Sequence, residues 1–344
     1  MASMVTDSIE QMSEQETAAT IPIESDSLPD TMEAIVYRGY GGPEQLVATK
    51  VATPKPRRGK LIIRVRATSV NPIDCRLRAG EMRWLLPGGF PRIPGYDIAG
   101  EVAQCDASSG YNVGDRVVGY LDHLYGGASA EYARCSRSSL TRLPDSMSFE
   151  DAAAIPLAGS TALQALRDKA TIKPGDRVLI NGASGGVGAF AVQIAKIMGA
   201  HVTGVASERN ESLVRSLGAD DFIDYRTKQL HQLHRSWHVI FDVAGKLDYL
   251  QCRHLVIPNG TFVSTEPDAY GITTSLVTKL GIKPRYRVIL AKSRGSDLAN
   301  LIRYVVNGQM RVIRDNEELR LKDAAEAHRR LKAGGNPGKI TLTV

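Results

Sequence analysis

Val178-Leu179-Ile180-Asn181-Gly182-Ala183-Ser184-Gly185-Gly186-Val187-Gly188 decides the fold. Its opening run is apolar and strand-like, and it passes directly into a turn with four glycines in seven residues. The next stretch, Ala189–Met198, reads as a helix. A strand, a glycine turn and a helix in that order form the phosphate-binding turn of a dinucleotide site. The physical need is for small residues. Without a Cβ the backbone can turn tightly, approach a pyrophosphate and aim amide N–H groups from the positive end of a helix. Ser184, Gly185, Gly186, Val187 and Gly188 are therefore expected to hold the cofactor's pyrophosphate. Gly188 would also let helix and strand pack closely. The competing reading is a glycine-rich loop without a ligand.

Downstream of the turn, strands and helices alternate. Strand-like runs fall at His201–Val205, Asp221–Tyr225, Val239–Val243, Thr261–Ser264 and Arg287–Leu290, with a helix over Asn210–Leu217. That alternation implies a doubly wound parallel sheet, an α/β Rossmann arrangement expected over 149–296. A capping-like Ser148…Asp151 marks its start. Residues 32–148 have another texture. Strands at Met32–Tyr37, Lys60–Ala67, Ile98–Ala103 and Arg116–Tyr120 are punctuated by Gly and Pro, as in a mainly β unit. From residue 297 come two helices, Leu298–Val306 and Asp323–Leu331, with Gly308, Gly334 and Gly335 as C-caps, then a strand over Lys339–Val344. This last part, 297–344, is expected to return to the mainly β unit.

The second strand of the parallel sheet ends Gly204-Val205-Ala206-Ser207-Glu208-Arg209. An NAD site needs an acid there to bind the adenosine ribose. Ala206 stands at that position instead, followed by Ser207 and Arg209, a hydroxyl and a guanidinium suited to a 2′-phosphate. Tyr225, at the end of the third strand, can add its phenol. The expected cofactor is NADPH, with Glu208 facing solvent.

Composition narrows the class. The chain has 344 residues, a net charge of +6 and four scattered cysteines. No C-x-x-C pair suggests a zinc knuckle or redox dithiol, and a reducing compartment is the simplest home. The positive charge is dispersed, without the basic stripe of a nucleic-acid binder. No apolar run reaches the length of a membrane span. Residues 1–31 hold no Lys or Arg and are read as a disordered acidic extension without signal- or transit-peptide character. The expected location is cytoplasmic, an organelle stroma or matrix being also compatible.

Five further stretches, together with the glycine turn, carry a family resemblance: Val70-Asn71-Pro72-Ile73-Asp74, Pro94-Gly95-Tyr96-Asp97-Ile98-Ala99-Gly100-Glu101-Val102, Val113-Gly114-Asp115-Arg116-Val117, Ala158-Gly159-Ser160-Thr161-Ala162-Leu163-Gln164-Ala165-Leu166 and Gly338-Lys339-Ile340. From about residue 32 to 344 the chain resembles the medium-chain dehydrogenase/reductase superfamily in its zinc-independent quinone oxidoreductase branch. Within it, the chain is similar to plant chloroplast-envelope quinone oxidoreductase homologues and mitochondrial NADPH oxidoreductases through Phe90-Pro91-Arg92-Ile93-Pro94. The resemblance implies a Rossmann domain inserted in a GroES-like catalytic domain and, as partner, a second copy in a homodimer.

The superfamily's zinc enzymes ligate the metal at positions matched here by Asn71, Tyr96 and Leu157, none of which offers thiolate or imidazole. No metal site is expected. Without a Lewis acid, hydride addition to an electron-poor C=C or a quinone is easier than to a plain ketone, because charge spreads into an enolate or hydroquinone. Tyr96 could hydrogen-bond the substrate carbonyl or donate a proton, or else merely wall the cleft. Asn71 could donate to that carbonyl or to the nicotinamide ribose, or else begin a turn before Pro72. Asp74 and Asp97 are expected to fix loops. The resemblance places Thr161 near the nicotinamide and Lys339 near its ribose or phosphate, a surface charge being the other reading of Lys339. Trp84, Leu85, Leu86 and Phe90 suggest an apolar mouth for small hydrophobic enones or quinones. An enoyl-thioester reductase and an NADPH-binding structural or regulatory protein are the alternatives. The first is weakened because Arg78–Trp84 holds no tyrosine to act as proton donor.

Overall fold

The computed structural model describes residues 28–83, 89–266, 273–275, 278 and 284–344. Most of the expected acidic extension lies outside the described residues, as do Trp84, Leu85 and Leu86. No helix among the described residues is long and apolar enough to cross a membrane.

In chain order, β1 (Thr31–Val36) pairs antiparallel with β2 (Val47–Ala52). Then come β3 (Lys60–Val70), α1 (Pro72–Ala79), β4 (Asp97–Gln104), β5 (Arg116–Tyr120), β6 (Tyr132–Ser136) and β7 (Leu140–Arg142). Two helices follow, α2 (Phe149–Ala153) and α3 (Pro156–Gln164), with the Ser148 hydroxyl accepting the Asp151 N–H at 3.1 Å as the expected cap. Next are β8 (Arg177–Asn181), α4 (Gly186–Ile197), β9 (His201–Ala206), α5 (Glu211–Ser216), β10 (Asp221–Asp224), β11 (Trp237–Asp242), α6 (Tyr249–Cys252), β12 (Val256–Ser264) and β13 (Arg285–Val288). The chain ends with α7 (Gly295–Val306), β14 (Leu319–Arg320), α8 (Ala324–Ala333) and β15 (Ile340–Thr343).

Strands β8 to β13 form a six-stranded sheet in the order β10-β9-β8-β11-β12-β13, with all pairs parallel. The chain runs outward from β8 on one side, then crosses to β11 and runs outward on the other. The crevice between the carboxyl ends of β8 and β11 is where such sheets bind ligands. Both faces are covered. Val178 and Ile180 of β8 join Phe190, Val192 and Ile194 of α4 in one cluster. Leu179 points the other way, with Val205, Ile240 and Phe262. Burial on both faces explains why these strands read as continuous apolar runs rather than alternating ones.

The second sheet has the order β14-β15-β3-β4-β5-β7, with β6 also on β3. Its C-terminal strand β15 lies antiparallel to β3, so the chain end returns to the mainly β part. The molecule is thus α/β, a GroES-like mainly β domain carrying a Rossmann sheet.

Three local departures from the sequence expectation have physical causes. Helix α4 begins at Gly186, because Gly185 in an extended conformation serves as its N-cap. Strand β12 begins at Val256 rather than at the expected Thr261, and so runs across Pro258-Asn259-Gly260. It pairs Trp237 with Val256 and Val239 with Thr261, so the intervening residues bulge out of the ladder. Asn71-Pro72 caps a helix rather than a simple turn, with Pro72 in the first helical turn and Gly80 closing it at φ 83°.

Candidate active site

One cleft of about 1630 Å³ runs from the glycine turn to the edge of the mainly β sheet. At its cofactor end Ser184, Gly185, Gly186 and Val187 line the wall, while Gly188 stands behind them. A Cβ on Gly188 would lie 2.0 Å from the Gly182 carbonyl oxygen, so only glycine lets α4 sit this close to the end of β8. The cradle fits a dinucleotide's pyrophosphate, with the first amides of α4 open to the cleft. The turn is also tied to the chain end. The Gly338 N–H donates to the Ser184 carbonyl at 2.9 Å, and Gly185 bridges Gly338.

Beyond the turn the same wall carries Ser207, Arg209 and Tyr225. Ser207 is buried, whereas Arg209 and Tyr225 are exposed. Asn210 joins the group. Its Nδ2 donates to Ser184 Oγ at 3.0 Å and reaches Ser207 Oγ at 3.5 Å, linking the turn to the end of β9. Sequence reasoning passed over Asn210, and also Lys228, which lines this end. The signal for Asn210 was its place three residues after Ser207. Lys228 offered none.

The floor at the other end is built by strand register. In β15 and β3, Ile340 pairs with Val70, which puts the preceding Lys339 beside Asn71. In β3 and β4, Ser69 pairs with Asp97. Ser69 and Asn71 are two residues apart, so both face the side on which Asp97 and Lys339 stand. Asp97 is fully buried and accepts four bonds. Its Oδ2 takes the Ser69 hydroxyl, Asn71 Nδ2 at 2.7 Å and the Lys339 ammonium at 3.4 Å, while its Oδ1 takes the Leu157 N–H at 2.7 Å. The Lys339 ammonium also donates to the Val70 carbonyl at 3.0 Å and to Asn71 Oδ1. Lys339 is only 5% exposed, which sets aside the surface-charge reading. Burial lowers its pKa from the ordinary lysine value, opposed by Asp97 and Asp74. Asp74 caps α1 by accepting the Asn71 N–H at 2.8 Å and takes the Gly95 N–H at 3.1 Å. Burial pushes its carboxyl up to about 7.

Tyr96 and Thr161 also line the cleft, but their hydroxyl protons are committed. Tyr96 donates to the Leu124 carbonyl at 2.7 Å, and Thr161 to the Leu157 carbonyl at 2.7 Å. Burial holds the Tyr96 phenol above the usual tyrosine range. Around them the wall is apolar, with Ile73, Leu77, Met82 and Leu121, and its rim carries Leu124 and Leu290. Arg76 of α1 reaches across to Glu266, beyond β12, in a paired contact of 2.8 and 3.1 Å. Nothing local in the sequence pointed to that bridge.

Zinc does not fit this floor. Of the three matched positions, Asn71 has its oxygen on an ammonium, Tyr96 turns its hydroxyl to Leu124, and Leu157 offers only a backbone N–H. Among the described residues, no three His, Cys, Asp or Glu side chains gather as a metal site.

A Rossmann sheet with a glycine turn at its switch point, closed by a mainly β domain over one cleft, defines a dinucleotide-dependent oxidoreductase. Comparison with known proteins agrees. Residues 57–145 match the alcohol dehydrogenase GroES-like domain, and residues 217–342 match a family described as zinc-binding dehydrogenase. The chain is 33% identical to a chloroplast envelope quinone oxidoreductase homologue of Arabidopsis thaliana, over 90% of this chain and 98% of that one. It is 30% identical to the same plant's chloroplastic NADPH-dependent alkenal/one oxidoreductase, over 96% of this chain and 84% of that one. The solved quinone oxidoreductase of Coxiella burnetii superposes with a TM-score of 0.80 at 30% identity, covering 91% and 99% of the two chains. The chain belongs to the medium-chain dehydrogenase/reductase superfamily, in its quinone oxidoreductase branch.

Proposed function

We propose that this chain is a zinc-independent reductase that uses NADPH to reduce the electron-poor C=C of an alkenal or enone, or a quinone. The observation that carries this reading is the continuity of one cleft. It joins a phosphate-binding turn and a Ser207–Arg209–Tyr225 wall to a hydrogen-bonding floor set in apolar surroundings. Its relatives' names, quinone oxidoreductase and NADPH-dependent alkenal/one oxidoreductase, support the same chemistry.

Bound NADPH would supply the hydride. Ser184 to Val187 would hold its pyrophosphate, Ser207, Arg209 and Tyr225 its 2′-phosphate, and Thr161 would lie beside the nicotinamide. Hydride addition to the β-carbon of an enone leaves negative charge on the carbonyl oxygen, which needs a donor. Asn71 is the donor this floor offers. Its Oδ1 is on Lys339 and one Nδ2 hydrogen is on Asp97, which leaves the second Nδ2 hydrogen for the substrate oxygen. Tyr96 shapes the wall, since its proton is on Leu124. Solvent then protonates the α-carbon. The homodimer implied by the resemblance belongs to the same proposal.

The test is a panel of alkenals, enones, quinones and enoyl thioesters with NADPH and NADH side by side, followed by cofactor absorbance. Turnover of enones or quinones with NADPH is expected. Tight NADPH binding without turnover of any of them would overturn the reading, and activity confined to thioesters would replace it.

A further inference from the structure

We propose that Lys339 is a built-in cation for the active-site floor, a positioning residue that holds and polarises the Asn71 amide for charge developing on the substrate. The inference rests on the reductase reading above and names what organises that site in place of a metal.

An ammonium carries three N–H donors and no acceptor. Lys339 places them in a cage of three oxygens: the Val70 carbonyl, Asn71 Oδ1 and Asp97 Oδ2. Two come from the adjacent Val70 and Asn71, where β3 meets α1, and the third from β4, so one tethered cation ties the chain end to two segments distant from it in sequence. No N–H is left over for a ribose or phosphate. The stem serves the cofactor side differently. A Cβ on Gly186 would meet Lys339 Cδ at 2.8 Å, so the lysine methylenes lie directly against the glycine turn. Cofactor cradle and substrate floor therefore share one side chain.

Two consequences follow for Asn71. The ammonium fixes which end of the amide is which, because only Oδ1 can face a cation; Nδ2 must then face Asp97 and the cleft. A positive charge on Oδ1 also draws electrons from the amide nitrogen and makes its free hydrogen a stronger donor. Without the cation, the amide could turn over, and the buried Asp97 carboxylate would lose its counter-charge.

The experiment compares wild type with Lys339→Ala and Lys339→Arg, each checked for folding and for NADPH affinity by titration. On a substrate that the wild type turns over, Lys339→Ala is expected to lose kcat roughly 10²-fold, the scale of one lost transition-state donor. Its NADPH affinity should fall far less than kcat, by the loss of the methylenes that pack on Gly186 alone. Lys339→Arg should retain more activity than Lys339→Ala. Propylammonium, which replaces the deleted side chain, should fill the cage in Lys339→Ala at roughly tens of millimolar, because the tether's effective molarity is gone. It should raise the variant's Tm and restore part of kcat, whereas tetramethylammonium, lacking N–H, should do neither. A loss of NADPH affinity parallel to the loss of kcat, with no response to propylammonium, would overturn the proposal and make Lys339 a cofactor contact. In case Lys339→Ala does not fold, Lys339→Met decides. It removes the cation while keeping the methylenes that pack on Gly186, and unchanged kcat there would also overturn the proposal. Failure of the wild type on the whole panel would instead sink the reductase reading, and the Tm response would still report on the cage.

Discussion

Arg209 Nη2 lies 3.0 Å from the carbonyl oxygen of Gly335, so a guanidinium from the end of β9 meets the segment after α8 across the cleft. Gly335 has φ 90°, and a Cβ there would stand 2.1 Å from that nitrogen, so the approach depends on glycine. The contact holds Arg209 at the mouth, where a 2′-phosphate would enter. Arg209→Ala is expected to weaken NADPH binding by roughly 10- to 100-fold, the scale of a charge-assisted bond, and to leave NADH binding nearly unchanged. Titration of both cofactors measures it, and equal losses would refute the 2′-phosphate role. Gly335→Ala keeps the charge but displaces the guanidinium, and should reduce the preference for NADPH in the same direction.

Gly188 tests the cradle separately. An alanine methyl there would press on the Gly182 carbonyl, which is backbone and cannot swing aside. Gly188→Ala is expected to cost about 1–3 kcal/mol of stability, as overpacking does, and to weaken NADPH and NADH alike. Urea unfolding and cofactor titration report the two effects. Unchanged cofactor binding would show that the turn tolerates a wider spacing than its geometry implies.

Tyr96 separates a proton donor from a wall. Because its hydroxyl is spent on the Leu124 carbonyl, Tyr96→Phe should lose about 1 kcal/mol of stability from that bond. Its kcat should change by less than about threefold, whereas a lost general acid typically costs 10²-fold or more. A collapse of kcat with KM preserved would return Tyr96 to the role of acid.

How much of this was legible in the sequence depends on the distance between cooperating residues. The turn at 182–188 and the strand end at 206–209 are local patterns, and each stands where its pattern put it, on one wall of the cleft. The floor is different. Asn71, Asp97 and Lys339 meet only because β15 returns beside β3 and β4 pairs on its other edge, and no window of sequence contains that register. Family resemblance singled out Asn71 and Lys339 but not their bond to each other. Asp97 was expected to fix a loop; it accepts the N–H of Leu157 in the first turn of α3 and also holds Ser69, Asn71 and Lys339. The direction of the Tyr96 hydroxyl was hidden for a related reason. It is set by the carbonyl of Leu124, in a loop without periodicity.

Behind α1, on the side away from the cleft floor, a second nonlocal pair makes a prediction about acid. His328 of α8 is 2% exposed, and its Nδ1 lies 3.3 Å from the Cys75 thiol of α1. Burial, aided by the nearby Arg78 charge, pushes its pKa down to about 3 from the ordinary 6.5, and burial pushes the thiol up to about 11. Both groups are therefore neutral in the folded protein near neutral pH. Well above 6.5 the ring is neutral in folded and unfolded chains alike, so it contributes no pH dependence there. As pH falls from 6.5 towards 3, the unfolded chain takes up the proton and the folded one does not, so stability declines through that window. Between pH 6.5 and 5 the loss amounts to about 1.6 kcal/mol. Asp74, raised to about 7, works in the opposite direction, gaining stability as pH falls from 7 towards 4, but it is common to wild type and variant. The stability of His328→Leu relative to wild type should therefore rise as pH falls from 6.5 to 5 in urea unfolding. Parallel curves would mean that the ring is protonated in the folded protein, and that the packing of α8 on α1 admits a charge.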